Sequence, residues 1–72
     1  MKTIRLDGVV GWDIMAADVA AMLDGQDHVK MVINSGGGDI LEGFAIYNAM
    51  KDSSAQIDVH VDFAASMASV FA

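Results

Sequence analysis

Apolar and polar positions along the chain change period several times, and each change marks an element. Thr3 to Leu6 is a short strand candidate, closed by the turn pair Asp7-Gly8. Beyond Val9-Val10-Gly11, the residues Ile14, Met15, Val19, Met22 and Leu23 recur at spacings of three and four. That period predicts an amphipathic helix lying on a core, with Asp13 as its cap and Gly25 as its stop. Val29 to Ile33, with Met31-Val32-Ile33 at its centre, predicts a strand covered on both faces and paired in parallel. A loop, Asn34-Ser35-Gly36-Gly37-Gly38, then delivers the chain to Asp39, which stands three residues before Glu42 as in a capping box. The helix that follows is expected to carry Ile40, Leu41, Phe44, Tyr47 and Met50 inward and to end near Lys51-Asp52-Ser53-Ser54. Ile57 to Asp62 alternates, placing Ile57, Val59 and Val61 on one face and Asp58, His60 and Asp62 on the other. A third helix is expected from Ala64, with about two turns before the last residue.

Strand and helix alternating three times point to an α/β layer with right-handed crossovers and a mainly parallel sheet. The 72 residues allow one domain. Hydrophobic residues make up 54% and charged ones only 19%, more apolar surface than so small a unit hides, so a partner, further subunits or additional sequence is expected. A net charge of -6 repels phosphate backbones and anionic lipid, which argues against nucleic-acid and membrane-surface roles. No cysteine is present, so thiol catalysis, thiolate metal ligation and disulfides are excluded and the cytoplasm is the default compartment. No secretory signal is visible, because Asp7 and Gly8 interrupt the start of the chain. Phe63 to Ala72 is about half the length that spans a bilayer.

Three places carry candidate chemistry. The glycine run follows a strand and precedes a helix, where α/β sheets place ligands and where main-chain N–H groups can approach one closely. Something anionic could bind there, but neither nucleotide-loop pattern is met: Asp39-Ile40 stands where a phosphate loop needs Lys-Ser/Thr, and Leu41 stands where a dinucleotide loop needs its third glycine. A tight turn remains the bland alternative. Ser66 opens a helix, where backbone donors favour developing negative charge, although most serines in such a place are caps. Ser69 lies one turn further on, and neither serine has a lysine near it in sequence. His28 reads as a solvated surface residue. His60 lies between Asp58 and Asp62 on one strand face, but neighbours on that face are about 7 Å apart, too loose to share an ion. No metal or cofactor is expected, and the methionines sit mostly at core spacing.

Taken together, the glycine run and Ser66 closely resemble the Clp-type serine peptidase (ClpP) family, especially the Clp-like head maturation proteases of tailed phages. The resemblance rests on Gly8-Val9-Val10-Gly11-Trp12-Asp13, on Ile33-Asn34-Ser35-Gly36-Gly37-Gly38-Asp39 followed by Gly43-Phe44-Ala45-Ile46-Tyr47-Asn48-Ala49-Met50, and on Ala64-Ala65-Ser66-Met67-Ala68-Ser69. It implies a ClpP/crotonase-like α/β fold of repeated β-α units, incomplete here, with residues 1–72 forming a single partial domain. By the same resemblance Ser66 is the acyl-transfer nucleophile, and the backbone N–H groups of Gly38 and Met67 form the oxyanion hole. Gly37, Asp39 and Ile40 occupy the place where the family binds extended substrate. The implied partners are further copies of the chain in a ring and a protein or peptide substrate, capsid or scaffold protein among them, in the host cytoplasm if the chain is phage-encoded.

Two departures stand beside the resemblance. The family has a glycine between the positions of Asp62 and Phe63, so the strand is expected to bulge there or the entry to the nucleophile helix to be re-aimed. The family's catalytic histidine and aspartate lie C-terminal to the serine, and neither His28 nor His60 matches that motif position. The 72-residue polypeptide is therefore expected to be nearly inert, since a serine without its base is a poor nucleophile. The competing reading is a non-catalytic assembly module that keeps the motif without the chemistry.

Overall fold

The computed structural model describes residues 1–66 and 68–71. Its elements run β1 (Lys2–Val10), α1 (Ala16–Leu23), β2 (His28–Gly38), α2 (Ile40–Asp52), β3 (Gln56–Ala64) and α3 (Ala68–Phe71). The strands form one parallel sheet in the order β1-β2-β3. Strands laid down in sequential order by crossovers of one hand put both connecting helices on the same face, and α1 and α2 pack against each other there.

The core lies between that face and the helices. Ile4 and Leu6 of β1, Val29, Met31 and Ile33 of β2, Val19 and Leu23 of α1, and Ile46 of α2 are its buried centre. Two expectations change here. The central strand is covered by helices on one face only; the other face carries Arg5, Lys30, Asn34, Asp58, His60 and Asp62, all exposed. Val32 is buried there although it points away from the helices, because its register partners are Arg5 and His60, whose long side chains flank it.

The helix after the glycines also turns differently. Gly43 and Ile46 are buried and Met50 packs on the core, whereas Ile40, Leu41, Phe44 and Tyr47 are exposed. Glycine at position 43 has no side chain to hold the helix away, so that stripe meets the core and the bulkier one is left outside.

The strands outrun their predicted ends. Asp7-Gly8 does not close β1, which continues to Val10, and the glycine run is not a loop but the extended end of β2, pairing Gly37 with Val9 and Gly38 with Val10. The third helix starts at Ala68, because Ala64 still belongs to β3 and pairs with Ser35. Asp13 does not cap α1. Its carboxylate accepts from Val9 N–H at 2.9 Å, and the cap position falls to Met15, which offers no side-chain acceptor. The first N–H of α1, that of Ala16, instead donates to Glu42 Oε2 at 2.5 Å. Asp39 does cap α2, accepting from Glu42 N–H at 2.7 Å. Gly25, with φ of 73°, follows the end of α1 as expected.

Candidate active site

The strands of a parallel sheet all end on the same edge, and here that edge carries Val10, Gly38 and Ala64. There Ser35, which opens the glycine run, pairs with Ala64, two residues before Ser66. Ile33 pairs with Val61 but Asn34 pairs with Phe63, so Asp62 is an extra residue in β3. A bulge was one of the two outcomes expected at this place, although its extra residue is the opposite of a missing one. It reverses the facing of every later side chain, sending Phe63 to the exposed side and turning Ala64 towards the core beside Ser35.

Past the bulge, Ala65 N–H donates to the Ser35 carbonyl at 3.1 Å, which fixes the last residue before Ser66. Ser66 then takes φ of 51°, and among the described residues it is the non-glycine residue with a positive φ. On its far side the turn is closed by Ala68 N–H to Ala65 carbonyl at 3.1 Å and Ser69 N–H to Ser66 carbonyl at 3.2 Å, with the Ser69 hydroxyl donating to the same carbonyl at 2.6 Å. Ala68 is fully buried in the core. Backbone on both sides of Ser66 is thus held while the residue itself stays exposed. A strained strand-to-helix turn of this kind presents a hydroxyl to solvent on a rigid base.

The glycines supply the neighbouring wall. Gly38 has φ of 147°, and a Cβ there would stand 2.2 Å from the Val10 carbonyl oxygen, so any side chain would separate β1 from β2. Gly37 N–H donates to Ser35 Oγ at 3.1 Å. Asp39 N–H donates back to the Val10 carbonyl at 2.8 Å, and the Ile40 side chain is exposed. Met67 lies outside the described residues.

The histidines are elsewhere. His28 opens β2 at the far edge of the sheet, seven residues before Ser35 and so roughly 23 Å from it, and His60 is five residues, roughly 16 Å, before Ala65. Neither reaches Ser66, since proton transfer needs about 3 Å. Each has a carboxylate instead: His28 Nε2 lies 2.6 Å from Asp58 Oδ2, and His60 Nε2 lies 3.2 Å from Asp62 Oδ1. On the same open face Arg5 grips Asp7 through Nε at 3.1 Å and Nη2 at 3.2 Å and approaches Asp62 at 3.6 Å. The hydrogen bond from Arg5, with its charge and a bond from Asn34, holds the Asp7 carboxyl below its usual value; the Asp7 bond in turn raises Arg5.

Among the described residues no group of three His, Cys, Asp or Glu side chains could hold a metal ion, and no helix is long and apolar enough to cross a membrane. Clefts lie elsewhere, one of about 430 Å³ between the ends of α1 and α2 at Leu23, Gly25 and Asp52, and one of about 220 Å³ beside Asp7, Asp13 and Asp18. Neither is lined by Ser66 or by Gly36, Gly37 or Gly38.

Sequence reasoning passed over Ser35, although the period-two signal was there: a residue two after Ile33 and four after Met31 must face the core, and a hydroxyl sent there needs partners. Nothing in the sequence marked the φ of Ser66 or the reach of Glu42 to α1.

A parallel α/β layer with an exposed serine turn at its carboxyl edge sets the class of fold, and comparison with known proteins gives the family. The family model for Clp protease matches residues 3–72, and the chain belongs to that family. It is similar to the ATP-dependent Clp protease proteolytic subunit of Ligilactobacillus salivarius, with 42% identity over 77 residues, covering 99% of this chain and 39% of that one. Among solved structures, ClpP1 from Listeria monocytogenes superposes with a TM-score of 0.84 at 24% identity, covering 96% of this chain and 44% of that one. The ClpP protease catalytic domain from Plasmodium falciparum gives 0.82 at 29% identity, covering 96% and 42%. The chain thus spans about two fifths of the length of the relatives it matches.

Proposed function

We propose that residues 1–72 are the nucleophile-bearing N-terminal part of a Clp-type serine endopeptidase domain, which hydrolyses peptide bonds through an acyl-enzyme on Ser66. The observation that carries this reading is the Ser66 turn: an exposed hydroxyl at φ of 51°, anchored through Ala65 to the strand that ends in Gly38. In this reading the N–H groups of Gly38 and Met67 receive the carbonyl oxygen as it becomes negative. One such preorganised donor is worth about 3 to 4 kcal/mol in comparable enzymes. Gly37, Asp39 and Ile40 line the path of an extended substrate, with Ile40 presenting its side chain outward. The working protein is a ring of copies in the cytoplasm acting on protein or peptide substrates. The narrower assignment, to a phage head maturation protease cleaving capsid or scaffold protein, is supported by the sequence motifs alone.

The placement of the histidines favours a second reading. With His28 and His60 both remote from Ser66 and paired to aspartates, the chain could serve as a non-catalytic Clp-like assembly module. A fluorophosphonate probe separates the two when applied to this chain and to a form extended through the downstream coding region. Labelling of Ser66 in the extended form, with little or none in the 72-residue chain, supports the peptidase. No labelling in either form supports the module.

A further inference from the structure

We propose that Ser35 is a positioning residue of this site, an inference that rests on the peptidase reading: its buried hydroxyl fixes the Gly36–Gly37 peptide, one peptide before the Gly38 N–H, and its carbonyl holds the strand end from which Ser66 departs. The need for such a residue comes from the glycines. Gly37 at φ of 105° and Gly38 at 147° occupy backbone space that glycine enters freely and also leaves freely, so nothing in the glycines selects one direction for their N–H groups. An oxyanion donor must already point at its target before charge develops.

Ser35 stands where the ladder fails. Between Asp7 and Val9 the β1–β2 register slips, setting Ser35 and Gly36 of β2 against Gly8 of β1. A bulge leaves main-chain groups without their ladder partners. The Ser35 side chain, 3% exposed, takes up two of them: its Oγ donates to the Gly8 carbonyl at 2.6 Å and accepts from Gly37 N–H at 3.1 Å. A hydroxyl whose donor and acceptor roles are both used is fixed in rotation, and it fixes the peptide it binds. The Ser35 carbonyl accepts from Ala65 N–H at 3.1 Å. One residue therefore ties β1, the glycine strand and the Ser66 turn together at the sheet edge. Ser35 touches no reacting atom in this arrangement and acts through its neighbours.

The test compares Ser35→Ala and Ser35→Thr with the wild type in the full-length chain, by amide hydrogen exchange and by the rate of fluorophosphonate labelling at Ser66. Ser35→Ala is expected to speed exchange at Gly37 by about 10-fold to 100-fold while Val29 to Ile33 stay protected. Labelling is expected to slow by up to about 100-fold, and Ser35→Thr, which keeps the hydroxyl, to restore both. Should Ser35→Ala fail to fold, Ser35→Cys keeps the bulk and only weakly the hydrogen bonds, and gives the same readouts. Unchanged exchange at Gly37, equal acceleration along all of β2, or local release with unaltered labelling would each overturn the proposal. Local release in a protein whose wild type is itself never labelled would leave the orienting role standing and remove the peptidase reading.

Discussion

Replacing Gly38 by alanine puts a methyl group where β1 and β2 touch. The added Cβ would lie 2.2 Å from the Val10 carbonyl oxygen, 2.7 Å from its nitrogen and 3.0 Å from its carbonyl carbon, all main-chain atoms that cannot swing aside. Relief requires the two strands to part by about 1 Å, which strains the Val10–Gly38 pairing and the 2.8 Å bond from Asp39 N–H to the Val10 carbonyl. The φ of 147° adds strain for any L side chain. Backbone strain of about 1 to 3 kcal/mol and overpacking of similar size give a loss of roughly 2 to 6 kcal/mol. A chain of this length has roughly 4 to 11 kcal/mol in total. Gly36→Ala is the internal control: its Cβ meets nothing within 4 Å and its φ is ordinary, so a change within about 0.5 kcal/mol is expected. Urea unfolding followed by far-UV circular dichroism measures both. Equal midpoints for the two variants would refute the reasoning, because they would show that the glycine strand does not lie against β1.

Three further outcomes follow from the same contacts. Glu42→Ala removes the acceptor for Ala16 N–H, which Met15 cannot replace, and is expected to lower stability by about 1 to 2 kcal/mol in urea unfolding, with Glu42→Gln retaining most of it. Leu41 is 80% exposed beside Ile40 and Phe44, so Leu41→Lys should leave the urea midpoint within about 0.5 kcal/mol while weakening self-association in sedimentation velocity. The lowered Asp7 carboxyl contributes stability that is fully present above its unfolded value near 3.8 and is lost as pH falls through the lower folded value; Arg5→Met should return the Asp7 titration, read by NMR, towards the usual range.

Much of the fold was legible because hydrophobic period is local. Ile4 with Leu6, Val19 with Leu23, and the alternation from Ile57 to Val61 all point where the sequence sends them. What escaped was decided by partners distant in sequence. Gly8 and the triple glycine read as breakers, yet pairing of Val9 and Val10 with Gly37 and Gly38 keeps them extended. The α2 helix has two apolar stripes, and only packing selects Gly43, Ile46 and Met50 over Ile40, Phe44 and Tyr47. Val59 and Val61 face the same way as the core strand residues Met31 and Ile33 but remain exposed, since the buried cluster is built by β1, β2 and the helices and takes in no residue of β3. At the candidate site, Ser66 and the glycines stood out by kind and order. A count against the family pattern marked the place of the Asp62 bulge but not its extra residue, and the Ser35 bonds needed the neighbouring strands in place.

The central claim is tested most directly by the crystal structure of the full-length chain after reaction with a peptidyl phosphonate. The account predicts phosphorus bonded to Ser66 Oγ with a phosphonyl oxygen about 2.7 to 3.1 Å from Gly38 N–H. An adduct on another residue, or on Ser66 with that oxygen turned away from the glycine strand, would contradict it.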